Sequence, residues 1–254
     1  MKDWETLLSQ GLEILCKNDA DIEALIAPRY GDVFSLLCRY IKEIELFNKA
    51  YGLVGAQSEE ELIIKHILDS LAPINSIVRL MEEQPHTAAG PKGLQVADVG
   101  SGAGLPGIPL AVCMPGVEFT LIERMGRRAG FLRDVLAVLG LPNVRVEEAE
   151  IEKLSQNPAA RGSFDLAVFR AFKPLDPAIF RHLLKLLTPG WVLAAYKGRR
   201  ESVEEEMARL LKSVEKGAGP SVGYSVENPA GSWELIPLEV PFLEEERHLL
   251  VIKP

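Results

Sequence analysis

The sequence predicts an α/β protein: a seven-stranded, mostly parallel sheet with one antiparallel hairpin at its edge, preceded by a helical region. Three observations carry this. From Leu94 onward, short apolar runs alternate with amphipathic stretches at βαβ spacing. A glycine-rich turn, "DVGSGAGLPGIPLA" over residues 98–111, follows the first of those runs. The first ninety residues instead repeat apolar side chains at three- and four-residue intervals. The reading is a helical region over residues 1–90 and a Rossmann-like domain over residues 91–254.

In chain order, Val33, Leu36, Leu37, Tyr40, Ile41 and Ile44 form one apolar stripe on one helix. Ser58 followed by Glu61 predicts a capping box that opens a second helix. Leu62, Ile63, His66, Ile67, Ser70 and Leu71 share a face of that helix. Residues 82–93 are polar and rich in turn formers, and read as a linker. Strands are expected at 94–99, 117–123, 143–147, 164–169 and 191–197. Helices are clearest at 127–139 and 176–187, and an acidic helix is expected near 202–216. Two last strands, 234–240 and 248–252, have no convincing helix between them and should pair antiparallel at one edge. A doubly wound sheet binds its ligand beyond the carboxyl ends of its strands. That places Gly100, Glu123, Arg170 and Lys197 around one expected crevice.

Composition narrows the class. Of the 254 residues, 47% are apolar, enough for a sizeable core. No stretch approaches the roughly 20 apolar residues of a membrane helix, and "MKDWETLLSQ" lacks the layout of a signal peptide. A cytoplasmic protein with no membrane partner is the expectation. Cys16, Cys38 and Cys113 are scattered, as are His66, His86, His182 and His248, so no disulfide and no metal site is expected. The net charge is −8, but it divides unevenly: −7 over residues 1–90, +5 over 91–200 and −6 over 201–254. The one positive segment begins at the glycine loop, where a phosphate-rich substrate would be attracted. On charge alone, a solvated surface of mixed sign explains this equally well.

The glycine loop reads two ways. From Gly102 it spells G-x-G-x-x-G, the turn that introduces NAD. From Asp98 it spells D-x-G-x-G-x-G, which points to S-adenosylmethionine. An anion at Asp98 would repel a pyrophosphate and welcome an ammonium group. Pro106 removes an N–H donor that a pyrophosphate would use. Glu123, ending the next strand, would accept hydrogen bonds from ribose hydroxyls in either case.

With "KHILDSL" (residues 65–71) before the loop and "FRAF", "AYKG" and "ERHLLVIK" after it, the chain resembles a bacterial family of 16S ribosomal RNA guanine-N7 methyltransferases, RsmG, also called glucose-inhibited division protein B. The similarity runs from about Phe47 to Lys253. The resemblance implies a class I methyltransferase fold, S-adenosylmethionine as cofactor, 16S rRNA or an assembling 30S subunit as partner, and a monomer. It places the cofactor on Gly100, Gly102, Gly104, Leu105, Glu123, Ile151, Glu152 and Arg170, beside the Asp98 proposed above. It makes Arg170, Lys197 and Arg247 the basic residues important for activity. It aligns Arg127 and Arg128 with a basic pair; with Lys197 and Arg247 they are the expected RNA contacts. Glu150 and Phe169 depart from the family pattern, as does Gly52-Leu53-Val54.

The chemistry agrees with that site. N7 of guanine carries an in-plane lone pair and no proton, so it attacks a sulfonium methyl without a general base. Catalysis then reduces to alignment and exclusion of water, on an unstacked base. Plainer roles stand beside these. Arg127, Arg128 and Arg133 can be surface charges, and the run Glu204–Glu206 a solvated helix face. His66 with Asp69 reads as a structural hydrogen bond between helices and core, or as a cofactor-side pair. Trp4, Trp191 and Trp233 read as packing residues. A methyltransferase of a small molecule or protein, an inactive RNA- or ribosome-binding module, and more distantly an NAD-dependent oxidoreductase remain open at this stage.

Overall fold

A computed structural model of the chain describes residues 2–83, 93–170, 175, 177–213 and 232–254. Its helical region contains α1 (Asp3–Asn18), α2 (Ala20–Ile26), α3 (Tyr30–Tyr51), α4 (Glu59–Leu62), α5 (Asp69–Leu71) and α6 (Ile74–Glu82). A π-helical turn, Ile63–Leu68, joins α4 to α5. Ser58 caps α4 by accepting from the Glu61 N–H at 3.1 Å. The Glu61 carboxylate reaches back one residue further than a capping box requires, to the Gln57 N–H at 2.8 Å. The expected linker lies mostly outside the described residues.

Beyond it run β1 (Gln95–Val99), α7 (Gly107–Cys113), β2 (Glu118–Glu123), α8 (Gly126–Leu139), β3 (Val144–Glu148), α9 (Ile151–Leu154), β4 (Phe164–Arg170), α10 (Pro177–Leu186), β5 (Leu187–Lys197), α11 (Arg200–Ser213), β6 (Ser232–Leu238) and β7 (Arg247–Lys253). The seven strands form one sheet in the order β3-β2-β1-β4-β5-β7-β6. The first five are parallel, while β7 pairs antiparallel with both β5 and β6. This is the expected α/β methyltransferase architecture, with strand bounds mostly within two residues of expectation. One boundary moves further: residue 187 opens β5 instead of closing α10. The register shifts between Phe164 and Leu166 of the partner strand, and the intervening β5 residues bulge at Gly190, whose φ is +85°. The end of the acidic helix beyond Ser213 lies outside the described residues.

Strand alternation divides the core in two. Val96, Leu121, Val168, Ala194 and Val251 face α1–α8 and share one apolar core with the whole helical region. Val99, Ile122, Phe169, Leu193 and Ile252 face α9, α10 and α11. The order reverses between β1 and β4, so the connections from these strands leave on opposite sides and a crevice opens at their carboxyl ends. Because β7 runs antiparallel, its first residue, Arg247, arrives at that same edge.

Candidate active site

The edge has two halves. In the first, a cavity of about 450 Å³ opens at the carboxyl ends of β1 and β2, a volume ordinary for a small-molecule site. Val99, Ile122, Ile151 and Ile179 give it apolar walls, Gly100 a bare backbone, and Glu123, Glu150 and Glu152 its carboxylates. Arg124, Met125, Arg128 and Ala149 complete the lining. Glu123 fixes the geometry. Its Oε2 accepts the Gly102 N–H at 2.9 Å and its Oε1 the Met125 N–H at 2.8 Å. One carboxylate thus ties the loop after β1 to the loop after β2, and keeps lone pairs for hydroxyl donors. The glycines behind the cavity act by conformation. Gly102 has a φ of +58°, and at Gly104 (φ +97°) a Cβ would stand 2.4 Å from Ile108 Cδ1.

S-adenosylmethionine fits these residues. The apolar walls suit a flat base, and Glu123 suits a ribose. Three carboxylates against two guanidinium groups favour a ligand bearing a sulfonium and an ammonium over a diphosphate.

Asp98, expected as the anion that receives the ammonium group, lies beneath the loop. Alternation in β1 turns it to the face covered by α7, where it is fully buried and its Oδ2 accepts the Gly107 N–H at 2.9 Å. Burial raises its carboxyl pKa to about 7, against the opposing hydrogen bond from Gly107 and the Arg170 charge. It shapes the loop from beneath. Gly102, Gly104, Leu105 and Arg170 are likewise absent from the cavity lining, whereas Gly100, Glu123, Ile151 and Glu152 are in it.

The second half is built from side chains far apart in sequence. Arg170, ending β4, is held by the π-helical segment: Nη1 donates to Lys65 O (3.1 Å), His66 O (3.2 Å) and Asp69 Oδ2 (2.9 Å). Its Nη2 stands 2.9 Å from His66 Nδ1. Arg247 approaches the same carboxylate, with Nε 3.2 Å from Asp69 Oδ1, off the hydrogen-bonding direction. Desolvation, then the Arg170 charge, lowers the His66 pKa to about 4, so the ring is neutral near pH 7 and Nδ1 can accept.

Lys197 does not join this pair. As the neighbour of Tyr196 on β5 it points to the opposite face, where Nζ donates to both oxygens of Glu206 at 2.7 and 2.9 Å. Its ammonium also lies 5.9 Å from the Phe169 ring. The single crevice expected around Gly100, Glu123, Arg170 and Lys197 is therefore three separate settings. Glu206 corrects the solvated reading of the acidic run: it is buried and also accepts the Leu175 N–H at 2.7 Å.

The remaining cations divide similarly. Arg127 stacks on Tyr51 at 5.8 Å, Arg128 donates to Gly52 O at 3.0 Å, and Arg133 pairs with Glu148 at 2.9 Å. Trp4 and Trp191 are buried, but Trp233 lies on edge strand β6 and is partly exposed. Two bonds escaped sequence reasoning: Tyr40 OH donates to Ala103 O in the glycine loop, and Tyr196 OH to Ser70 O, each at 2.8 Å. Tyr40 reads only as part of an apolar stripe; nothing local announces where its hydroxyl goes.

A family model described as rRNA small subunit methyltransferase G (GidB) matches residues 34–226. The chain belongs to this family. The relative bearing that description in Treponema denticola is 35% identical, across 97% of this chain and 95% of its own length. That of Stenotrophomonas maltophilia is also 35% identical, across 96% and 92%. Among solved structures, a SAM dependent methyltransferase from Aquifex aeolicus shares 18% identity over 72% of this chain and 89% of its own, with a TM-score of 0.46. As a family member the chain is a small-subunit rRNA methyltransferase that uses S-adenosylmethionine. Among the described residues no helix is long and apolar enough to cross a membrane.

Proposed function

We propose that the chain methylates N7 of a guanine in 16S rRNA, free or within an assembling 30S subunit, as a cytoplasmic monomer. The observation that carries this reading is the arginine pair, Arg170 and Arg247, on one carboxylate at the sheet edge beyond the cavity. Residues 91–254 form the methyltransferase domain, and residues 1–90 a helical region that braces it. Gly100, Glu123, Ile151 and Glu152 hold the cofactor directly, while Asp98, Gly102, Gly104 and Leu105 shape the loop that receives it.

S-adenosylmethionine, when bound, supplies an electrophilic methyl group. The acceptor nitrogen needs no proton removed, so the protein's task is to hold, orient and desolvate. Arg170 and Arg247 offer their remaining N–H groups to phosphate or to the O6 edge of the guanine. Arg127 and Arg128, at the start of α8, take the RNA backbone nearer the cofactor. Lys197 supports the site from the far face through Glu206.

The test is to incubate the protein with labelled cofactor and either 30S subunits or free 16S rRNA, then map N7-methylguanine. Label at one guanine is expected, with Arg170→Ala abolishing it while the fold persists. Label in neither RNA, despite cofactor binding, overturns the acceptor assignment in favour of a small-molecule substrate or a binding module. Full activity of Arg170→Ala overturns the site assignment.

A further inference from the structure

We infer that Asp69 and His66, on the helical region, are positioning residues that make Arg170 and Arg247 a single acceptor-binding unit. This rests on the reading of those arginines given above. Donor accounting supports it. A guanidinium has five N–H groups in a fixed plane. Arg170 commits Nη1 to Asp69 Oδ2 and two carbonyls, and one Nη2 hydrogen to His66 Nδ1. Its Nε–H and second Nη2 hydrogen have no acceptor among the described residues. Arg247 commits one Nη1 hydrogen to Glu246 O and holds Nε against Asp69 Oδ1 as an ion pair, leaving its second Nη1 hydrogen and both on Nη2. The inner edges are pinned and outer ones left over, at a place where both side chains keep some exposure, 13% and 24%.

The anchor suits positioning better than simple stabilisation. Asp69 is buried, with one oxygen on each arginine, and the two arginines come from strands separated in the sheet by β5. Two like charges held this close repel, and one shared carboxylate offsets that. The π-helical turn between α4 and α5 brings two carbonyls and His66 Nδ1 onto the same guanidinium; such turns recur at functional sites. A second device holds the segment in place: Tyr196 OH donates to Ser70 O, and Ser70 Oγ to His66 O.

The test uses the full chain with 30S subunits, comparing Asp69→Asn, His66→Asn and His66→Leu. S-adenosylhomocysteine affinity and Tm are measured on the same samples. Asp69→Asn is expected to lower kcat/KM for 30S subunits about 30-fold while cofactor affinity changes by less than about three-fold. His66→Asn places an amide oxygen near the site of Nδ1 and should keep at least about a third of the activity, whereas His66→Leu should lose about ten-fold. A packing role would instead make activity follow Tm across the three variants. Wild-type turnover by folded Asp69→Asn overturns the inference while leaving the arginine assignment intact, provided Arg170→Ala is inactive. If Arg170→Ala is also active, the reading beneath falls as well. Should Asp69→Asn not fold, the His66 pair decides: equal activity of His66→Asn and His66→Leu overturns the proposal.

Discussion

The two halves of the sheet edge are built by different means. The cofactor half is local: a loop directly after β1 and a carboxylate directly after β2, joined by two backbone N–H donors on Glu123. The arginine half, the proposed acceptor site, is assembled at long range, with Arg170 bonded to residues 101 to 105 positions away and Arg247 meeting the same Asp69. A carboxylate pinned between two short loops suits a small ligand that many proteins share. Side chains gathered from a separate helical layer can change without disturbing that ligand, which suits the recognition of one particular acceptor.

Lys197→Ala leaves the Glu206 carboxylate buried without its cation. A loss of about 3–5 kcal/mol in urea unfolding is expected, and pairing Lys197→Met with Glu206→Gln should recover most of it. Wild-type stability of the single variant would show that the pair does not hold α11 to the sheet. Glu123→Ala removes the acceptor shared by both cofactor-side loops. Calorimetry should show cofactor affinity falling about 100-fold, roughly 3 kcal/mol, with 30S affinity almost unchanged. Equal losses on both ligands would mean that the halves are not separable.

Two buried groups give opposite pH slopes. Asp98 keeps its proton up to about pH 7 in the native state but only to about 3.8 unfolded, so its contribution to stability falls as pH rises through that window. His66 titrates near 4 in the native state and 6.5 unfolded, so its contribution falls as pH drops from 6.5 to 4. Asp98→Asn retains an acceptor for the Gly107 N–H and removes the first slope. In the wild type the two slopes largely cancel between pH 4 and 6.5, whereas the variant should gain up to about 3 kcal/mol of stability over that interval. An unchanged profile from urea melts across pH 4–7 would remove Asp98 as its source. Smallest is Arg133→Ala. Its exposed pair with Glu148 should contribute less than about 1 kcal/mol. If instead the salt dependence of 30S binding loses about one unit of slope, Arg133 contacts a phosphate.

Much of the cavity half was legible because its signals are short-range. The apolar strand, the glycine spacing after it and the acid closing the next strand all lie within thirty residues, from Leu94 to Glu123. Asp98 shows the limit of such reading: spacing assigned it to the expected ligand, but alternation in β1 decided that it faces α7. Glu206 does carry a local signal. Val203, Glu206, Met207 and Leu210 share one helical face, and all four are buried. Arg170 left none for its partners, because no local pattern records which carboxylate will close a gap of a hundred residues.

Strand and helix order, the antiparallel edge and the family are set by periodicity, turn chemistry and motif spacing written along the chain. That Arg170 and Arg247 share Asp69 while Lys197 turns away to Glu206 follows from packing alone. Adjacent residues on a strand point to opposite faces, so which cations meet is set by packing the helical layer onto the sheet.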